Sequence, residues 1–428
     1  MNPKEPKHSD GALRILYIAP HQIWPTNTGA RLRDYQLAQQ LALCSSVTFM
    51  EMSQAAEEQH VAPDDSRIAR IVTLNKSRTY SPTKIFRGLI GPIPITVLNC
   101  WSSRMASQLA DVLRSYQFDT VQVEGVLLIE YLPIIREAQG CPAVIVDWHN
   151  IESEMMWRYA KTTGNWLKRI AARRTAKLIE RAENLLLDNH VTHTVTSERE
   201  RQKLLARRPG ANIHVIPNGV DTSYYTARTI SEVTRPRGQA DSKPTILFVG
   251  SMDYHANVDA VSWFSRVSWP QIALNHPDMQ FMIVGRNPRP EVRALASDRI
   301  HVTGTVDDLR PFYAPAVAVV VPLRSGSGTR VKILEAMAAG VPVVSTRLGA
   351  EGLEVEDGTH LLLADSGREI TSAVNRVASS TELQVRLSQA GRALVCGVYD
   401  WTIIGEKLYG IHDRLSQSRP PTSARKVS

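Results

Sequence analysis

From Ala316 to Gly340 the chain reads A-V-A-V-V-V-P-L-R-S-G-S-G-T-R-V-K-I-L-E-A-M-A-A-G. Ala316 to Val321 is an apolar, valine-rich run, the pattern of a parallel strand covered on both faces. Gly326 and Gly328 let the chain turn sharply and let a ligand approach the backbone. A helix is predicted to start near Thr329 or Arg330. Its first four N–H groups lack intrahelical partners and its dipole is positive at that end, so an anion is favoured there. Arg330 and Lys332 add two cations, Glu335 follows on the same helix face, and Gly340 is placed to cap the C-terminus. Buried strand, glycine-rich loop and basic helix N-terminus together make a site for a phosphorylated ligand. The plainer alternative is a Lys332–Glu335 surface pair, contributing about a few tenths of a kcal/mol.

The same alternation of strand and helix recurs along the chain. Leu13 to Ala19 is a short apolar strand, followed by the loop P-H-Q-I-W-P-T-N-T-G, a helix from about Ala30 to Leu43 and a strand around Val47 to Met52. That is the βαβ signature of a parallel sheet. Further strands are predicted at Thr120–Val123, Ala143–Val146, His193–Thr196 and His214–Ile216. A second series begins at Thr245–Val249 and continues with Phe281–Val284, His301–Thr303, the opening strand and Val341–Ser345. The expectation is α/β, with an N-terminal Rossmann-like domain over 12–225, a polar linker over 226–244 and a C-terminal Rossmann-like domain over 245–399. A helix over 400–416, packing back on the N-terminal domain, and a disordered tail over 417–428 complete the division. In doubly wound sheets, ligands bind beyond the carboxyl ends of the strands.

With 428 residues, two domains are the natural prior. No apolar run approaches the ~20 residues that span a bilayer, and M-N-P-K-E-P-K-H-S-D-G has no apolar core of a secretory signal. A cytoplasmic protein is expected, with Cys44, Cys100, Cys141 and Cys396 as buried thiols, since their scatter fits no metal-ligand spacing. The net charge of +8 suits nucleic acid, anionic lipid or an anionic substrate alike. Trp157 to Arg181 holds eight Lys/Arg interleaved with Trp157, Tyr159, Trp166, Leu167, Ile170, Leu178 and Ile179. A basic amphipathic helix lying peripherally on an anionic membrane explains that pattern, and so does a helix packed on the sheet with a solvated basic face. No nucleic-acid-binding module is present in the pattern, so nucleic acid is not expected as a partner. Neither G-x-G-x-x-G after a first strand nor G-x-x-x-x-G-K-[S/T] occurs, which argues against a dinucleotide oxidoreductase and a P-loop nucleotide triphosphatase.

The segment G-S-G-T-R-V-K-I-L-E-A-M-A-A-G-V-P-V-V-S-T, with A-E-G-L at Ala350–Leu353, resembles the donor-site segment of the large retaining glycosyltransferase family numbered 4, of GT-B fold. V-T-S-E-R-E (Val195–Glu200), V-I-P-N-G-V-D (Val215–Asp221), F-V-G-S-M (Phe248–Met252) and I-V-G-R-N-P (Ile283–Pro288) agree in the family's order. T-G-A-R-L-R (Thr28–Arg33) and V-D-W-H-N-I-E-S-E (Val146–Glu154) are similar to the branch associated with exopolysaccharide systems. The resemblance implies two doubly wound Rossmann-like domains facing a central cleft, and a sugar transferred from a nucleoside diphosphate sugar to a saccharide or lipid-linked saccharide acceptor. It implies that Glu335 holds the donor ribose and that Arg330 and Lys332 meet the diphosphate, with Gly250, Gly326, Ser327, Gly328 and Thr329 in the donor-contacting loops. Gly29 matches a glycine near the diphosphate, His149 a histidine near the transferred sugar, and Val302 to Val306 the segment that contacts the base. Ser327 stands where the family often has the first glutamate of Glu-x7-Glu, and the loop S-M-D-Y-H-A-N lacks the usual arginine and lysine. The diphosphate charge is therefore expected to fall on Arg330, Lys332 or Arg324.

The departing nucleoside diphosphate concentrates negative charge, and fixed donors aimed at it stabilise the transition state. No Asp-x-Asp follows a strand, and Asp307-Asp308 precede Arg-Pro as a helix cap would. The expectation is a donor site without metal and without a separate cofactor. His149 follows a predicted strand in D-W-H-N, where it serves either the sugar or the structure, and Asp147 either orients its ring or caps the turn. Gly29 with Arg31 and Arg33 reads either as a phosphate contact or as a tight turn with a solvated basic helix face. A sugar-nucleotide epimerase of the same fold, or a non-catalytic nucleotide-sugar-binding subunit, fits the same residues.

Overall fold

The computed structural model describes residues 12–26, 28–54, 66–76, 81–187, 191–225, 243–326 and 330–418. Residues 226–242 of the expected linker, 419–428 of the tail, and Ser327, Gly328 and Thr329 lie outside the described residues. The chain forms two compact units, one of residues up to Pro217 with Ile404 onward, the other Asn218–Ile403.

The first unit holds seven parallel strands: β1 (Leu13–Ala19), β2 (Ser45–Gln54), β3 (Arg70–Lys76), β4 (Thr120–Glu124), β5 (Ala143–Trp148), β6 (Thr192–Val195) and β7 (Ile213–Val215). Their order in the sheet is β3-β2-β1-β4-β5-β6-β7. Ile15 of β1 lies opposite Val47 on one side and Thr120 on the other. Helices cover both faces, so β1 from Ile15 and all of β4 are buried, as the continuous apolar pattern requires. Leu16, Ile18, Met50, Val121, Val123 and Trp148 form part of one core. β3 escapes the sequence pattern because it is an edge strand: Ile71 and Val72 are only half-buried, and of its side chains with described burial only Leu74 is fully buried.

The second unit holds six parallel strands: β8 (Thr245–Val249), β9 (Gln280–Val284), β10 (Ile300–Val302), β11 (Ala316–Val321), β12 (Val343–Ser345) and β13 (Leu362–Leu363). Their order is β10-β9-β8-β11-β12-β13. Val319 sits between Leu247 and Val343. The core includes Phe248, Phe264 and Phe281, the last two with ring centroids 4.7 Å apart. β13 has only two residues, too short for periodicity to reveal.

In each sheet the order reverses once, between β1 and β4 and between β8 and β11. At such a reversal the loops leaving the two strands diverge and open a crevice at their carboxyl ends. Each unit therefore has one place where its topology prepares a ligand site.

Three expectations need correction. Trp157–Arg181 is not one helix: Glu152–Thr162 and Trp166–Leu187 are separate helices packed on each other. Only Cys100 is a buried thiol; Cys44 and Cys141 are exposed and Cys396 is intermediate. Arg33 is not on a solvated face, being 1% exposed.

Candidate active site

In the second unit the crevice lies after β8 and β11. Gly250 directly follows β8, and a Cβ there would sit 2.7 Å from the Lys332 Nζ and 2.8 Å from the Asn257 Nδ2. Glycine is thus the residue that lets the lysine reach the strand end. Lys332 stands in the first turn of the helix Val331–Ala338. Its Nζ donates to Asn257 Oδ1 at 2.9 Å and lies 4.3 Å from the Phe248 ring centre. Asn257 is itself held, donating to the Ser251 carbonyl at 2.9 Å. Lys332 keeps some surface exposure but is deeply surrounded by protein. That burial, with the neighbouring Arg330 charge, pulls its ammonium down to about 7, while Glu335 opposes the shift. The lysine is a cation held ready near neutrality.

Glu335, one turn further on, lies beside the Tyr225 hydroxyl. Burial raises its carboxyl above the usual range; Tyr225 and Lys332 resist that. Arg330 is buried at the helix N-cap, beside Gly326. Gly326 adopts φ +108°, a left-handed conformation that favours glycine, and a Cβ there would lie 3.0 Å from the Tyr254 hydroxyl. Gly340 has φ +70° just past the helix end, and its N–H bonds the Met337 carbonyl at 3.0 Å, the expected C-terminal cap. Val306 is half-buried against the core from the loop after β10.

The loop after β8 gets its positive charge from two arginines that the sequence reading did not assign to it. Arg286 Nε donates to Ser251 Oγ at 3.0 Å, and Arg289 Nη2 donates to the Asp253 carbonyl at 2.6 Å. Both come from the R-N-P-R run after β9, the neighbouring strand, and adjacency of those strand ends was the signal available. Arg324 does not serve here: its guanidinium pairs with Asp259 at 2.6 and 3.1 Å. Asp308 accepts the Arg310 backbone N–H at 2.9 Å, a local turn-capping role.

The first unit concentrates charge at the carboxyl ends of β1, β4 and β5. Arg33, from the helix Gly29–Leu41, makes a two-pronged pair with Asp147, both contacts 2.9 Å, and donates to the Ile216 and Pro217 carbonyls. Thr194 Oγ1 donates to the same Asp147 at 2.7 Å. Asp147 therefore mainly anchors Arg33, although His149 Nε2 is also 3.3 Å from its Oδ2. His149 has carboxylates at both ring nitrogens: Nε2 is 3.1 Å from Asp34 Oδ1 and Nδ1 3.1 Å from Glu124 Oε1. His21 faces the same two acids, with Nε2 2.9 Å from Asp34 Oδ2 and Nδ1 3.6 Å from Glu124 Oε2. Two imidazoles and two carboxylates thus close a ring.

Burial would lower His149, but Glu124 and Asp34 hold it well above its usual value. Burial would raise Asp34, but the two histidines hold it well below the carboxylate range. Burial and the Asp34 charge push Glu124 well up. His21–Asp34–Glu124 and Asp34–Asp147–His149 each bring candidate metal-ligand atoms within 4.8 Å of one another. His21, Asp34 and Glu124 were missed by sequence. Glu124 and Asp147 sit opposite each other in register at the ends of two buried strands, and that repeated acid at a strand end was the usable sign. Gly29 begins its helix with open space where a Cβ would stand, so no internal packing demands glycine there.

Two tandem parallel sheets with these switch-point sites define the GT-B fold, the architecture of a large class of glycosyltransferases. Two family descriptions match the chain, one for each unit: "Glycosyltransferase Family 4" over residues 62–224 and "Glycosyl transferases group 1" over residues 243–380. Each description matches less than half of the chain, and the two matches lie in different parts of it. The chain is similar to the phosphatidyl-myo-inositol mannosyltransferase of Mycobacterium tuberculosis, 27% identical over 49% of this chain and 56% of that protein. The match thus spans little more than half of that relative's length. A Corynebacterium glutamicum protein described as a GDP-mannose-dependent monoacylated alpha-(1-6)-phosphatidylinositol monomannoside mannosyltransferase is 22% identical over 89% of this chain and 92% of its own. Among solved structures, a sucrose-phosphate synthase from Thermosynechococcus elongatus matches with TM-score 0.70 at 18% identity, covering 95% of this chain and all of that one. The Anabaena protein HepE in complex with UDP and glucose matches with TM-score 0.64 at 15% identity, over 94% of this chain and all of that one.

Proposed function

We propose that the chain transfers a hexosyl unit, with retention, from a nucleoside diphosphate sugar to a hydroxyl of a saccharide or lipid-linked saccharide acceptor, in polysaccharide or glycoconjugate synthesis. The second unit binds the donor and the first the acceptor. The observation that carries this reading is the Gly250–Asn257–Lys332 group beside Glu335, at the switch point of the second sheet. Glu335 is the ribose acceptor, and Lys332 and Arg330 with the helix N-terminus take up the leaving diphosphate's charge without a metal. The family match and relatives named as mannosyltransferases support the reaction class.

The test is nucleoside diphosphate binding by calorimetry. Glu335→Ala should weaken it by roughly ten- to a hundredfold, the loss of a charge-assisted hydrogen bond. The pH dependence has a definite sign. Only protonated Lys332 attracts the diphosphate, and its free value is about 7. Binding above that pH must therefore take up a proton, and affinity should fall by up to about tenfold per pH unit as pH rises. Lys332→Met should be weak throughout and flat in pH. Unchanged affinity in Glu335→Ala, or the same pH slope in Lys332→Met, would reject the donor assignment.

We further propose that the first unit meets an anionic membrane surface, where a lipid-linked acceptor resides. Among the described residues no helix is long and apolar enough to cross a membrane. On Trp166–Leu187, however, Trp166, Leu167 and Ile170 are about 60% exposed. The nearby helix Pro82–Ile90 exposes Phe86 and Ile90, and Arg174 joins the two regions by donating to the Gly91 carbonyl at 2.9 Å. Arg173, Arg174, Lys177 and Arg181 line a surface hollow of about 320 Å³. Apolar side chains beside a basic hollow suit lipid tails beside anionic headgroups. Flotation with liposomes should rise with anionic lipid content and fall with salt. The Lys168, Arg169, Arg173 and Arg174→Gln variant should stay unbound; equal flotation on neutral liposomes would remove the electrostatic part.

A further inference from the structure

We propose that His21, Asp34 and Glu124 form a binding site for one divalent transition-metal cation of the zinc, manganese or cobalt class. The site lies at the switch point of the first sheet, on the loop after β1, the first helix and the end of β4. It belongs to the first unit, the donor site to the second, and it revises the metal-free expectation for the first unit only.

The two carboxylates are each held at one oxygen only. Asp34 Oδ1 accepts the Tyr17 hydroxyl at 2.7 Å, and Glu124 Oε1 faces His149 Nδ1 at 3.1 Å. Each acid thus has one oxygen fixed by an outer partner. The other oxygens, Asp34 Oδ2 and Glu124 Oε2, are buried and make no hydrogen bond of good geometry; the His21 ring faces them at 2.9 and 3.6 Å. His21 Nε2 is likewise buried, and its contact with Asp34 is not a hydrogen bond of good geometry. Asp34 is wholly buried and Glu124 nearly so, and leaving such oxygens unsatisfied is costly. Arg33, the residue before Asp34, is committed to Asp147.

A single cation satisfies all three groups at once. Their ligand atoms lie within 4.8 Å of one another, a spacing that one ion bonding at about 2.0–2.2 Å can gather. One imidazole and two carboxylates are the nitrogen and oxygen donors such metals take. Tyr17 and His149 supply the outer hydrogen-bonding layer that orients metal-binding carboxylates. The overlapping group Asp34–Asp147–His149 is the weaker alternative, because Arg33 and Thr194 already occupy both Asp147 oxygens. His21 has 22% of its side chain exposed, which gives an ion a way in and leaves room for water ligands.

The full chain, freed of metal by EDTA and dialysed, is titrated with Co²⁺ and followed by visible absorption, then with Zn²⁺ as competitor. The expected result is one saturable equivalent of Co²⁺ with a nitrogen- and oxygen-ligand spectrum, lost on adding Zn²⁺. His21→Ala, at a partly exposed loop position, should abolish the saturable band while circular dichroism stays native. Tyr17→Phe should weaken binding about tenfold or more through Asp34 alone. A Cys44→Ser, Cys141→Ser variant should bind as the parent does, since no thiolate is in the site. Absence of a saturable band in the parent chain, its persistence in folded His21→Ala, or its loss in the cysteine variant would each overturn the proposal.

Discussion

Replacing Arg33 by methionine is expected to cost the first unit about 3–5 kcal/mol of stability, a large share of what holds a domain folded. The guanidinium is almost fully buried and donates to both Asp147 oxygens and to the Ile216 and Pro217 carbonyls. Methionine fills similar volume but leaves the Asp147 charge buried and only partly compensated by Thr194 and His149. Asp147 is held far below the usual carboxylate range, burial opposing and Arg33 outweighing it. Removing one partner of a buried pair is more damaging than removing both. Arg33→Met with Asp147→Leu should therefore recover part of the loss. Urea unfolding followed by circular dichroism reads the change in the midpoint of the first unit's transition. An unshifted midpoint in Arg33→Met would show that the pair carries no net stability.

His149→Ala is expected to cut sugar transfer by about a hundredfold or more, on the scale of oriented donors and acid–base groups. The hypothesis is that this ring, 12% exposed at the end of β5, acts at the transferred sugar. Free nucleoside diphosphate should bind almost as before, because it carries no sugar. Loss of kcat without loss of ground-state binding is the mark of a group used in the transition state. Both quantities need to come from one folded preparation, since the ring also lies between Asp34 and Glu124. Near-native turnover would remove His149 from the site. Joint loss of turnover, diphosphate binding and thermal stability would mark it as structural.

Much of the architecture is legible in sequence because it is local. Ala316–Gly340 contains strand and helix within one stretch, and V-V-V followed by G-S-G marks the end of the strand. The same holds for the β1–helix–β2 unit. What stays hidden depends on distance along the chain. Asn257 meets Lys332 across 75 residues, and Arg33 meets Asp147 across 114. In T-G-A-R-L-R-D the charges of Arg33 and Asp34 look solvent-facing, because a charged residue normally stays out of a core. Only the folded sheet reveals that each has a buried partner. The ring of His21, Asp34, Glu124 and His149 was obscure for the same reason: each member comes from a different element. Ser327, Gly328 and Thr329 keep their sequence-based assignment alone.

The polypeptide leaves the first unit after Pro217 and returns to it at Ile404. The returning segment is no loose appendage: His412 is fully buried there, its ring bonded to Thr120 and Gln122 of β4 at 2.7 and 3.0 Å. In genetic terms the second unit is therefore an insert within the first, attached by two covalent crossings. A chain cut short near residue 400 would strip the first unit of a helix its central sheet is built around. Grafting a donor half from a relative would need both junctions matched together, as a cassette. Any shuffling of these halves over evolutionary time would have faced the same double requirement.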